Sequence, residues 1–267
     1  MGSFFCSFGS TCQVTIKQQI ATQHMDPLFQ VEVLTQTPDP ERAIWQAMHQ
    51  DYSPGFVGPD SRIPESYGEA VVRYLLEGDR GHYGPLEHPQ ITFAVGYFPH
   101  VVMQQARTHR VGVSFDVQSF RYTGQQILEL GSDPTPDQLE QVFYVPASVK
   151  EGKALTRQGI RPIAPEALGI VLEQYCSQAL AYCRLVEDCG VPPEDARCIL
   201  GMGIRQHFVV SFNCRSLMHF LDLRAKADAQ REIRELCDLI WPHFEAWCPH
   251  VAAWYRKHRW GKARLAP

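Results

Sequence analysis

The chain has 267 residues, 45% of them hydrophobic and 20% charged, with a formal net charge of −4. This is the composition of a soluble globular protein long enough to bury a core, and its apolar runs fall short of a membrane span. A mildly acidic total argues against a general nucleic-acid binder, and nine cysteines without a C-x-x-C pair argue for a reduced, cytoplasmic protein rather than a disulfide scaffold.

Residues 1–25 carry Phe4, Phe5 and Phe8 but no basic start, sustained apolar run or cleavage site. They are read as a disordered lead-in to a domain over 26–267, with Met25 at its edge. Residues 29–35 alternate apolar and polar, which predicts a strand. Asp39-Pro40 opens a helix through Gln50, with Asp39 as N-cap and proline in the first turn. Ser53 to Pro64, rich in proline and glycine, is a loop. Ser66 with Glu69 resembles a capping box before Ala70–Leu76. After the glycine-rich segment 81–88, residues 90–97 read as a strand. His82 and His88 match no zinc spacing and lack a third ligand, so no metal is expected.

Residues 104–124 gather Arg107, Arg110, Arg121, His109, Ser114, Ser119 and Tyr122 around a single acid, Asp116. Helix turns followed by a loop are expected here. Guanidinium forks match phosphate and carboxylate oxygens, so the stretch suits an anionic ligand such as a nucleotide. Composition alone leaves a solvated surface helix and turn as the alternative.

Residues 131–165 form a proline- and charge-rich excursion around an apolar island at 142–145. From Glu166 to Asp188 the positions Leu168, Val171, Leu172, Tyr175, Cys176, Ala179, Tyr182, Cys183 and Val186 fall on one helical face, which predicts an amphipathic helix. Cys176 and Cys183 then act as buried small hydrophobes, and Gly190 and Pro192 end the helix. Pro193 begins another helix with Arg197 in its first turn. Phe208–Phe212 is β-like. Residues 213–226 place Arg215, Met218, His219 and Asp222 at three- and four-residue steps of a helix. Arg197, Arg205, Arg215 and Arg224 make a second basic series in which Asp222 is the only acid. A last helix over 229–248 is expected to kink at Pro242. With no repeats and no linker, one α+β domain is the simplest account.

Three blocks resemble the flavin-dependent thymidylate synthases. Thr108-His109-Arg110, eight residues and then Ser119-Phe120-Arg121-Tyr122 is similar to the family's R-H-R, seven residues, S. Thr108 stands where the family has its first arginine, and the loop is one residue longer. Arg107 points about 100° away from position 108 on a regular helix, so whether it takes over is open. Gly81-His82 through Pro85, Glu87 and His88 resembles a second block. Gly190 to Leu200 and Asn213 to Arg224 resemble a third. The resemblance covers roughly 30–255.

What it implies can be placed on this chain. The fold would be a small central, mostly antiparallel sheet flanked by helices, in a homotetramer with active sites shared between subunits. The substrate dUMP would lie on Gln105, Arg107, Thr108, Val117, Gln118, Ser119, Phe120, Arg121, Arg197 and Arg224. FAD would lie on His82, Gly84, Glu87, Thr108, His109, Arg110, Asn213, Arg215 and His219. NADPH would be the reductant and methylenetetrahydrofolate the carbon donor, with Arg224 activating the uracil and no cysteine nucleophile. Ser119 then positions substrate, and Cys248-Pro249-His250 ends a helix. No G-x-G-x-x-G follows a strand, since Gly201-Met202-Gly203 lacks the third glycine. A flavin oxidoreductase without methyl transfer and a non-catalytic nucleotide-binding regulator are the alternatives.

Overall fold

The computed structural model describes residues 25–59, 61–78, 81–156 and 158–262. The lead-in expected over 1–25 lies outside the described residues but for Met25. Four strands form an antiparallel sheet: β1 (Gln30–Gln36), β2 (Gln90–Pro99), β3 (Val113–Val117) and β6 (Arg205–Asn213), in the order β1-β2-β6-β3. β4 (Lys153–Thr156) and β5 (Gly159–Pro162) make a separate hairpin in the excursion. Alternation in β2 and β6 turns Ile91, Phe93 and Val95, and Phe208, Val210 and Phe212, into the core. Each such side chain contributes about 1.5–3 kcal/mol on burial.

Helices surround the sheet, and seven of them frame it and the site. α1 (Pro40–Gln50) starts as its sequence predicts, with Asp39 Oδ1 accepting from the Arg42 N–H. α2 (Tyr67–Val71) widens into a π turn up to Leu76. Its expected capping box is absent: Ser66 sits at φ −88°, ψ 29° and makes no side-chain cap, where a working N-cap is extended. α3 (His100–Ala106) follows β2 directly. α4 (Ala167–Cys183) is the predicted long helix, but only Ala179 and Tyr182 are buried, and Ile170 is 55% exposed. Cys176 and Cys183 are half-buried rather than core residues. α4 buries Ala179 and Tyr182 in the second core cluster and half-buries Leu172, Tyr175 and Cys176 against it, so its apolar face is only partly covered among the described residues.

α5 (Cys214–Arg224) leaves β6 after Asn213, whose Oδ1 accepts from the Ser216 N–H. α6 (Arg231–Trp247) buries Ile233, Leu236, Ile240 and Phe244 and continues through Pro242. Cys248 closes it, its N–H donating to the Phe244 carbonyl, and Pro249 opens a further helix, α7 (Pro249–His258). The buried Glu41 of α1 caps α7: Oε1 accepts from the His250 and Val251 amides at 2.7 and 3.0 Å. These helices and the sheet enclose the main core. A second cluster joins Phe120, Ile127, Leu139 and Phe143 to α4; Val142 and Phe143 of the apolar island at 142–145 belong to it, while Tyr144 belongs to the main core. Among the described residues no helix is long and apolar enough to cross a membrane.

Candidate active site

The 104–124 stretch is less helical than its sequence suggests. α3 stops at Ala106, a turn leads through Gly112, β3 occupies 113–117, and a single helical turn covers 120–123. Gly112 has φ +67°, and a Cβ there would stand 2.4 Å from Asn213 Nδ2. Only glycine lets the chain turn that close to β6. Pairing then sets 113–117 against 208–212, which distributes the stretch over three places.

The first is the end of α3, where Arg224 docks. Its Nε donates to His109 Nε2 at 3.0 Å, and its Nη2 to the Gln105 carbonyl at 2.9 Å and Thr108 Oγ1 at 2.6 Å. Thr108 Oγ1 spends its own proton on the Gln105 carbonyl at 2.8 Å. All three acceptors are neutral, and among the described residues Nη1 makes no hydrogen bond. Arg224 is half-buried, and burial lowers its pKa. The guanidinium is therefore held in place while its charge stays uncompensated. His109 is 6% exposed, and burial first, then the charges of Arg224 and His219, lower its pKa from 6.5 to about 4. A neutral imidazole is what an acceptor for Arg224 requires. Arg107 is exposed and its side chain makes no hydrogen bond among the described residues; Thr108 is the residue that meets Arg224. Gln105 also donates to Gln230 Oε1 at the start of α6, a contact not anticipated from sequence.

The second place is the loop after β3. Arg197 Nη1 donates to Ser119 Oγ at 3.4 Å and its Nε to the Glu194 carbonyl at 3.1 Å. Phe120 is buried in the second core cluster, and Arg121 is exposed, stacked 4.4 Å over the Tyr122 ring. Val117 is half-buried and pairs with Phe208. Gln118 is turned toward β6: its Oε1 accepts from the His207 amide at 3.1 Å and its carbonyl from Gln206 Nε2 at 2.8 Å. Gln206 and His207 escaped the sequence reading. The available signal was three polar residues, Arg205-Gln206-His207, leading into an otherwise apolar strand.

The third place is the start of α5. Arg215 pairs with Glu87 at 2.6 Å and lies 5.7 Å from the Tyr83 ring. This joins the 81–88 loop to the helix. Asn213 caps α5, and His219 sits edge-on to His109, ring centroids 5.4 Å apart. His82 and Arg110 are exposed and unbonded among the described residues, and a Cβ at Gly84 would meet open space. α5 thus carries Arg215 at one end and Arg224 at the other. Among the described residues no group of three or more His, Cys, Asp and Glu could hold a metal.

The family described as thymidylate synthase complementing protein matches residues 32–250, a span that takes in all three places. The flavin-dependent thymidylate synthase of Haloarcula marismortui is 35% identical over 252 residues, covering 89% of this chain and 99% of the relative. That of Halobacterium salinarum is 36% identical over 259 residues, covering 90% and 100%. The chain belongs to the flavin-dependent thymidylate synthase family.

Solved structures agree on the fold. The UMP/dUMP methylase PolB from Streptomyces cacaoi, bound with 5-Br dUMP, superposes with a TM-score of 0.69 at 22% identity, covering 90% of this chain and 97% of that one. Thymidylate Synthase X from Helicobacter pylori with FAD and dUMP gives a TM-score of 0.57 at 19% identity, covering 80% and 92%. At these identities the likeness speaks to the fold. A small antiparallel sheet flanked by helices is the family architecture expected from the sequence.

Proposed function

We propose that this chain catalyses the reductive methylation of dUMP to dTMP, with methylenetetrahydrofolate supplying the carbon and NADPH, through FAD, the hydride. In balance, dUMP, methylenetetrahydrofolate, NADPH and a proton become dTMP, tetrahydrofolate and NADP+. The observation that carries this reading is Arg224, a half-buried guanidinium fixed by neutral acceptors with Nη1 left for a ligand. Such a charge, already oriented, stabilises negative charge developing on the uracil ring without reorganisation. His109 contributes by staying neutral, and Gln105 and Thr108 by holding the guanidinium's orientation.

Phosphate recognition falls to the second place, where Ser119, Arg121 and Arg197 offer a hydroxyl and two guanidiniums. Arg107, Val117, Gln118 and Phe120 shape the walls around them. The third place fits a flavin by its donor set: Arg110, Arg215, Asn213 and His219 offer cations and amides for a diphosphate and ring carbonyls, with Glu87 as the balancing acid. His82, Gly84, Thr108 and His109 would complete that wall. Bound FAD supplies the hydride. The exposure of His82, Arg110 and Arg121 on one copy supports completion of each site by a neighbouring copy, in a cytoplasmic homotetramer.

The test is tritium release from C5-labelled dUMP by the purified protein with methylenetetrahydrofolate and NADPH, with UMP run beside it. Release with a yellow, flavin-bearing preparation is expected. A yellow protein without release would instead be a flavin oxidoreductase, and a colourless one a nucleotide-binding regulator.

A further inference from the structure

The start of β6 is a polar hub inside an apolar sheet. Gln206 is 4% exposed, yet both ends of its amide are bonded. Its Nε2 donates to the Gln118 carbonyl at 2.8 Å, and its Oε1 meets His100 Nδ1 at 2.7 Å. Gln104 Nε2 lies 2.7 Å from His100 Nε2. An amide nitrogen can only donate, so His100 Nε2 accepts and its Nδ1 carries the proton. The direction of the chain is then set: Gln104 donates to His100, His100 to Gln206, and Gln206 to the Gln118 carbonyl. On the far side of Gln118, its N–H donates to the His207 carbonyl at 2.9 Å and its Oε1 accepts from the His207 amide. His207 is itself tied to the Tyr97 amide at 3.2 Å, and burial lowers its pKa, which keeps it an acceptor. Gln118 is therefore gripped at its amide, its carbonyl and its side chain. It is also the residue immediately before Ser119.

We propose that Gln206 is a positioning residue for nucleotide binding: by donating to the Gln118 carbonyl it fixes the loop that presents Ser119 to Arg197. This rests on the reading that the loop holds the dUMP phosphate. The side chain is out of reach of water, so no solvent molecule replaces the lost donor. The consequence falls on substrate affinity, because the hydrogen bonds of Arg224 go to Gln105, Thr108 and His109 at the far end of α3 and none goes to the Gln206 chain.

Gln206→Glu keeps the shape but, when ionised, sets a carboxylate against the Gln118 carbonyl. When protonated, its hydroxyl donates to that carbonyl again while its other oxygen still accepts from His100. Burial raises the pKa of such a carboxyl, which brings protonation into an assayable range. The titratable group bonded at this position is His100 from α3. Arg205 and His207 flank it in β6, Phe98 opposes it from β2, and the Gln118 loop offers only amide groups. Initial rates of tritium release are measured against dUMP concentration for the parent, Gln206→Glu and Gln206→Met, from pH 6 to 8.5, with flavin absorbance and urea unfolding on the same samples. At pH 8.5 both variants should raise the KM for dUMP roughly tenfold or more, the scale of a misplaced binding group, with kcat and flavin content close to the parent. Toward pH 6 Gln206→Glu should return to within a few-fold of the parent, while Gln206→Met should not. A parental KM for Gln206→Glu at pH 8.5, a KM defect equal to that of Gln206→Met at every pH, or a loss of kcat and flavin in step with stability would each overturn the inference. A parent that neither turns over nor binds dUMP would overturn the function, and this inference with it.

Discussion

Arg205 and Arg224 are both withdrawn from water, and the molecule treats them in opposite ways. Arg205 is 3% exposed and fully answered: Nη2 meets Asp26 Oδ2 at 2.8 Å, Nε the Glu140 carbonyl at 2.7 Å and Nη1 the Tyr97 carbonyl at 2.8 Å. It lies between the Phe29 and Tyr144 rings at 5.8 and 5.4 Å. That charge is used up in tying the chain's first described residues to β6. Arg224 has as many hydrogen bonds but no acid. Its geometry is fixed and its charge is not. A buried cation with a carboxylate partner belongs to the fold, whereas Arg224, half-buried and oriented by neutral acceptors, is the one proposed to serve a ligand. Arg259 supports the first half of that rule, pairing at 3.0 Å with the buried Asp222, which also accepts from Tyr255.

The comparison can be broken at several points. Arg205→Ala strands Asp26 without a partner and should cost about 3–5 kcal/mol of stability. Urea unfolding checks this, and a loss below about 1 kcal/mol would remove Arg205 from the structural class. Arg224→Ala should leave the fold and flavin content intact while lowering dTMP formation about 100- to 1,000-fold; tritium release from labelled dUMP reads it. Thr108→Val removes an acceptor from Arg224 Nη2 and should reduce kcat by about tenfold, the worth of one hydrogen bond to a charged group. Thr108→Ser should recover most of it.

His109 sharpens the comparison through pH. Its folded pKa of about 4 lies below the ordinary 6.5, so between those values the unfolded chain binds a proton that the folded site refuses. Stability from this residue is complete above the upper value and drains away as pH falls through the lower one. Unfolding free energies between pH 4 and 7 should therefore slope more steeply for the parent than for His109→Gln. The smallest effect belongs to Glu87→Gln. The ion pair with Arg215 is 37–44% exposed at its side chains, so stability should change by under about 1 kcal/mol. Flavin content measured by absorbance should fall by more than that change predicts.

Legibility from sequence followed the range of the interactions. α1 could be read because Asp39 and Pro40 act on their own neighbours, and β2 because its alternation is continuous. β3 was hidden: Val113–Val117 alternates too, but it lies among arginines and owes its strand to pairing with residues nearly a hundred positions away. The capping box at Ser66 failed because the pattern specifies side chains and not the backbone angle that lets them meet. α4 was found, yet its burial was overestimated, since periodicity marks an apolar face without saying what covers it. In the site, family resemblance assigned Arg224 and the 104–109 segment to one site shared between subunits, whereas the fold brings the two together within a single chain. The resemblance named neither the Thr108 hydroxyl as its acceptor nor Gln206 as the support for Gln118. Both depend on where a proton points, which residue identity leaves undetermined.

One consequence of α5 concerns what this chain can tolerate in evolution or engineering. Arg215 and Arg224 stand nine positions apart on a single helix, about 14 Å along its axis. The helix is a ruler between the proposed flavin wall and the proposed uracil site. One inserted residue would lengthen it by only about 1.5 Å but would swing the far end about 100°, taking Arg224 off the end of α3. An exposed turn such as that of the β4–β5 hairpin can absorb a change of length, but this rod is free to vary only in composition.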